Sequence, residues 1–280
     1  MRYFLRSLLF AALFPALPGA APDALSIIYP TISRSDDGTM EPKGTKHPAG
    51  DLLFFSCRIS NYAKSPEQKV QLAYTVQAFD SKGVALDEVY KNAIAEEVAP
   101  QDKEWLPKIS TEIELPSALL TGAYKITVNV EDQVAKAKAT LDVPFEVQGH
   151  DVQPSAKLSV ENMRYYKSED DNAPMAKPVY KPGDALWVRF DVTGYKYGEK
   201  NKVNLNYVFS VLGADGSTMW TASQPQVEES EAFYPKPYVS GAFSIQVQSS
   251  VKPGDYAIGV KATDLVGKQT IEAKQPFTVQ

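Results

Sequence analysis

Few side chains in this sequence suit covalent or metal chemistry. Cys57 is the one cysteine among 280 residues, and the histidines are His47 and His150. A lone cysteine with a histidine elsewhere can be a nucleophile. Cys57, however, takes an inward position in the alternating run Leu53, Phe55, Cys57, Ile59, where a thiol behaves as a small hydrophobe. His47 precedes that run and His150 lies in a connecting segment; neither has a companion at zinc-like spacing. A serine triad needs a histidine beside a serine and a carboxylate, and no such set stands out, nor does a carboxylate pair of the glycosidase kind. Asp36-Asp37-Gly38 and Glu169-Asp170-Asp171-Asn172 are oxygen-rich loops of the type calcium uses, without the alternating ligand spacing of a dedicated calcium loop. The expectation is a chain that is not an enzyme and holds no metal or cofactor.

Aromatic side chains carry the stronger signal, because they stack on sugars and anchor protein partners. Residues 22–150 hold ten aromatics and residues 151–280 hold sixteen. The surplus includes Tyr165, Tyr166, Tyr180, Tyr197, Trp220, Phe233, Tyr234 and Tyr238. Trp187 adds an outward position on its strand, matched by Phe54. The candidate binding residues are therefore Tyr165, Tyr166, Trp187, Tyr197, Trp220, Phe233, Tyr234 and Tyr238, all in the second part of the chain.

The elements that must position them repeat. Gly50-Asp51-Leu52-Leu53-Phe54-Phe55-Ser56-Cys57 aligns with Gly183-Asp184-Ala185-Leu186-Trp187-Val188-Arg189-Phe190 at an offset of 133. The offset holds without a gap from Leu25 (Leu158) to Gly83 (Gly216), pairing Tyr62 with Tyr195 and Tyr74 with Tyr207, and so marking Tyr62 and Tyr195 as fold residues. One residue is then lost. Gly122-Ala-Tyr124-Lys-Ile126 next pairs with Gly254-Asp-Tyr256-Ala-Ile258, and Pro144-Phe145 with Pro276-Phe277. Within each copy apolar residues alternate with period two, as in Val70, Leu72, Tyr74, Val76 and Val203, Leu205, Tyr207, Phe209, the pattern of half-buried strands. Glycine-bearing turns, Asp80-Ser-Lys-Gly83 and Gly213-Ala-Asp-Gly216, separate them. The expectation is all-β: two tandem antiparallel β-sandwich domains, residues 22–149 and 157–280, joined by a linker at 150–156. Cys57 and its counterpart Phe190 are structural core positions.

Each copy ends in a strand containing Tyr124 or Tyr256, an aspartate (Asp132 or Asp264), and a strand closing Pro-Phe-x-Val. These residues resemble the last two strands of bacterial immunoglobulin-like and fibronectin type III-like domains. The resemblance covers both copies and implies an immunoglobulin-like sandwich, with Tyr124 and Tyr256 as structural tyrosine corners. It lacks the paired cysteines of antibody domains, and it implies shape without function.

Arg2 and Arg6, the apolar run Leu8–Leu17 and the small residues up to Ala21 follow the order of a secretory signal, so residues 1–21 are expected to be a cleaved signal peptide. The apolar run, about ten residues, falls short of the roughly twenty needed for a membrane span. Without Arg2 and Arg6, 27 basic groups face 34 acidic ones, a net charge of −7 that argues against a nucleic-acid partner. The acidity is concentrated in residues 22–150 (13 basic, 19 acidic) rather than 151–280 (14 and 15). The expected function is that of a non-catalytic exported protein, periplasmic or extracellular, whose second domain binds another protein of the envelope or medium. The alternatives are a carbohydrate-binding module using the exposed aromatics and a periplasmic chaperone that lends a strand to its client.

Overall fold

A computed structural model describes residues 24–102 and 104–280; the expected signal peptide, 1–21, lies outside them. The period-two runs are strands. In chain order they are β1 (Ser26–Ser33), β2 (Lys46–Pro48), β3 (Leu52–Ser60), β4 (Lys69–Phe79), β5 (Tyr90–Glu97), β6 (Lys108–Glu114), β7 (Gly122–Asp132) and β8 (Lys138–Gln148). Then come β9 (Ser159–Tyr166), β10 (Val179–Tyr180), β11 (Ala185–Thr193), β12 (Val203–Gly213), β13 (Thr218–Thr221), β14 (Gln226–Ser230), β15 (Tyr238–Gln246), β16 (Gly254–Asp264) and β17 (Gln269–Val279). The all-β expectation holds.

The strands form sheets in the orders β1-β3-β6 and β2-β8-β7-β4-β5, then β9-β11-β15 and β10-β17-β16-β12, with β13 and β14 end to end along the outer edge of β12. The second pair of sheets repeats the first, including the short parallel pairings β2–β8 and β10–β17. Inward residues of facing sheets make two core clusters. Phe55, Cys57 and Ile59 meet Leu72, Ile126 and Val128 in one; Val188, Phe190 and Val192 meet Leu205, Ile258 and Val260 in the other.

Equivalent positions repeat their contacts as well as their strands. Tyr124 donates its hydroxyl to the Leu120 carbonyl at 2.9 Å and Tyr256 to the Lys252 carbonyl at 2.8 Å, the hydrogen bond of a tyrosine corner. Asp132 is fully buried and accepts from the backbone N–H groups of Ala63, Val134 and Ala135. Asp264 does the same with Lys196, Val266 and Gly267. A buried carboxylate is tolerated because three donors replace its water.

Tyr62 and Tyr195 each donate to a backbone carbonyl 2.6 Å away, of Trp105 and Lys236 respectively, so both are fold residues. Cys57 sits opposite Ile109, and Phe190 sits opposite Gly241. Burial pushes the Cys57 thiol up to about 12, so it stays protonated and unreactive at neutral pH.

Candidate functional site

The surplus aromatics of the second part divide into three groups. The first is core. Tyr165, a candidate binding residue on sequence, is buried against Tyr180 and Phe277 and donates its hydroxyl to the Gln275 carbonyl. It is corrected to a packing residue. β9 places it inward, while its neighbour Tyr166 faces out.

The second group joins the two halves of the chain. Tyr234, in the loop between β14 and β15, is buried within the first core cluster and lies 3.1 Å from Asp80 through its hydroxyl. This expectation is also corrected: the ring is occupied by the first half and is not open to a partner. The loop around it is braced from behind. Tyr195 and Tyr197 both donate to the Lys236 carbonyl, and Asn201 donates its amide to the carbonyls of Ala232 and Phe233. Tyr197 is therefore fixed at its hydroxyl although its ring is partly exposed, and burial raises that hydroxyl's pKa. Phe233 remains exposed at 51% beside Pro116 and Ser117 of the first half.

Tyr238 belongs to the same junction. Its ring lies 4.9 Å from that of His150, whose Nε2 is 2.7 Å from the buried carboxylate of Asp191. Asn162 and Ser240 also donate to Asp191, at 2.8 and 2.7 Å. Histidine, aspartate and serine thus meet here, but Ser240 donates to the carboxylate rather than to the imidazole. A triad needs the imidazole to take the serine proton; this set ties the segment between β8 and β9 to β11 and β15 instead. Sequence reasoning missed it because His150 and Asp191 are 41 residues apart with no motif between them.

The third group faces solvent. Trp187 pairs with Tyr166 across β11 and β9, and the Arg189 guanidinium lies 4.3 Å over the Tyr166 ring centroid. These side chains share the outer face of the β9-β11-β15 sheet. Trp220 is on β13, where every residue is exposed: Trp220 at 41% and Met219 at 60%. One face of its indole stacks towards Phe243, which stacks on Phe209 at 4.4 Å, so the core holds the ring in place while its rim is open. Val227, on β14 along the same edge, is 57% exposed.

β13, Thr-Met-Trp-Thr, carries no charge, and among the described residues it pairs only with β12. Sheet edges are ordinarily protected by charge, proline or a covering loop. The edge strand of the first half shows that protection: β5 carries Lys91, Glu96 and Glu97.

Two carboxylates of the acidic loops considered for calcium are engaged otherwise. Asp37 pairs with Lys108, whose ammonium holds its carboxyl below the usual range. Asp171 accepts from the Ala173 N–H, which lowers its pKa. Among the described residues no three His, Cys, Asp or Glu side chains converge on a metal position, and no helix is long and apolar enough to cross a membrane.

No family profile and no curated protein matches the chain. Among solved structures it is similar to red sea bream transglutaminase, with 10% identity over 93% of this chain and a TM-score of 0.28. It spans 32% of that enzyme's length. It is also similar to the C-terminal domain of the Streptococcus agalactiae AgI/II polypeptide BspA, with 11% identity over 90% of this chain and 100% of that one, at a TM-score of 0.30. At these scores neither structure bears on what the chain does.

Proposed function

We propose that the chain is an exported, non-catalytic interaction protein made of two immunoglobulin-like modules, 22–149 and 157–280, following a signal peptide at 1–21. Its second module binds another protein of the envelope or extracellular medium at the β13 edge. The observation that carries this reading is β13 itself, an uncharged edge strand exposed at every residue and bearing Trp220 and Met219. Its free backbone groups can pair with an added strand while the indole rim supplies a contact anchor. The test uses immobilised protein and its Met219→Lys and Trp220→Lys variants against solubilised envelope from the source cell. Retention of one protein species, reduced at least ten-fold in both variants, supports the reading; retention unchanged in both overturns it.

A second reading, carbohydrate binding, is favoured by Trp187 and Tyr166 side by side on a solvent-facing sheet with Arg189 above the tyrosine. Retention on an insoluble polysaccharide that is lost in Trp187→Ala but kept in Met219→Lys would select it.

A further inference from the structure

The two halves differ at one side of the sandwich. In the second half the gap between β9 and β17 is filled by Tyr165, which meets Tyr180 at 6.1 Å and Phe277 at 5.8 Å, both edge-on, and donates its hydroxyl to the Gln275 carbonyl. At the 133-residue offset the counterpart of Tyr165 is Ile32, and that of Tyr180 is His47. Beyond the single deletion, Phe277 corresponds to Phe145 and Gln275 to Val143.

The frame around the plug is conserved between the halves. His47 and Phe145 stand edge-on at 6.2 Å, as Tyr180 and Phe277 do at 5.9 Å. The Glu41 N–H donates to the Ile32 carbonyl, and the Met175 N–H, one position beyond the counterpart of Glu41, donates to that of Tyr165. What is missing is the plug. Ile32 is too short to cross the gap, and the first half has a cleft of about 400 Å³ there, lined by Ile32, Met40, Pro42, His47, Val143 and Phe145.

A second observation points the same way. His47 is buried, and among the described residues its Nδ1 has no hydrogen-bond partner. Burying a polar atom without a partner is unfavourable, and a polar group bound against the imidazole offsets part of that cost. The rest of the lining is largely apolar, as in small-molecule sites with a few placed polar atoms.

We propose that this cleft binds a phenolic ring, inserted between β1 and β8 as Tyr165 is inserted between β9 and β17, with its hydroxyl reaching the Val143 carbonyl or His47. The ring comes either from a free phenolic compound or from a tyrosyl side chain of a partner, and the shared chemistry is the phenol. The site lies in the first half, apart from β13, so it stands or falls independently of the partner assigned there.

The test is a titration of the full chain with p-cresol, N-acetyltyrosinamide and N-acetylphenylalaninamide, followed by calorimetry and by the His47 ring resonances. Saturable p-cresol binding that moves those resonances and is abolished by Ile32→Tyr, which supplies the plug in cis, supports the proposal. N-acetyltyrosinamide binding as tightly as p-cresol, and about ten-fold tighter than the phenylalanine analogue, assigns the ring to a partner's tyrosine; p-cresol binding alone assigns it to a free phenolic compound. If Ile32→Tyr does not fold, the resonances of the unaltered chain decide. No saturable p-cresol shift, measurable binding of the phenylalanine analogue equal to that of N-acetyltyrosinamide, or undiminished p-cresol binding by folded Ile32→Tyr overturns the proposal.

Discussion

Phe190 and Gly241 face one another across β11 and β15, and the phenyl ring occupies the space a side chain at 241 would need: a Cβ there would come under 3.0 Å from three ring atoms. In the first half the same pair of positions holds Cys57 and Ile109. One copy places a large residue on the central strand and none opposite; the other places a small residue there and a branched one opposite. Close-packed cores respond to a change of a single methylene, so the total volume is held by compensation.

Gly241→Ala is accordingly expected to destabilise by about 1–3 kcal/mol through overpacking. Adding Phe190→Cys should recover part of the loss, although each change alone destabilises. Urea denaturation of the two single variants and the double variant measures this; additive losses would contradict the compensation.

Asp132→Ala removes the acceptor of three backbone N–H groups. Unsatisfied buried donors cost about 1–3 kcal/mol each before water enters. A midpoint shift of at least that size is expected, with Asp264→Ala giving a comparable shift because its contacts repeat.

Tyr234→Ala should free the two halves to move relative to one another while each core stays folded. Tyr234→Phe, which keeps the ring and loses the Asp80 contact, should do so less, at about 0.5–1.5 kcal/mol. Small-angle scattering and 15N relaxation of residues in both halves report the difference. Unchanged relative tumbling of the two halves in Tyr234→Ala would contradict this role.

Burial lowers the pKa of His47 from its ordinary value of 6.5. The unfolded chain therefore takes up a proton at this position before the folded one does, and linkage makes stability fall as pH drops below about 6.5. Above that value the contribution is constant. His47→Gln is expected to flatten the stability profile between about pH 6.5 and 5, measured by urea midpoints, where ordinary carboxylates, with pKa values near 4, still contribute little.

The Cys57 thiol should resist Ellman's reagent at pH 8 in the folded protein and react fully in urea, because it is buried and its pKa is pushed up to about 12.

Strand phase explains what could be read from the sequence. The runs around Phe55, Leu72, Phe190 and Leu205 alternate without interruption, so both their strand character and their inward faces were legible. Tyr165 and Tyr166 were different. Adjacent aromatics on a strand face opposite ways, and the register shift of β9 against β11, between Arg189 and Asp191, breaks the phase that would say which one enters the core. The offset to Ile32 carried that information. Tyr234 had no period to reveal it, since it lies in a loop and meets Asp80 across 154 residues. The openness of β13 is a property of an edge, and which strands form edges is decided by sheet order rather than by local composition.

The junction also draws a different contribution from each half. The ring that locks the halves together, Tyr234, belongs to the second copy, and its socket beside Asp80 belongs to the first. The buried carboxylate that holds His150, Asp191, has Arg58 at the corresponding position of the first half. The two halves therefore contribute different side chains to the junction and are not interchangeable there.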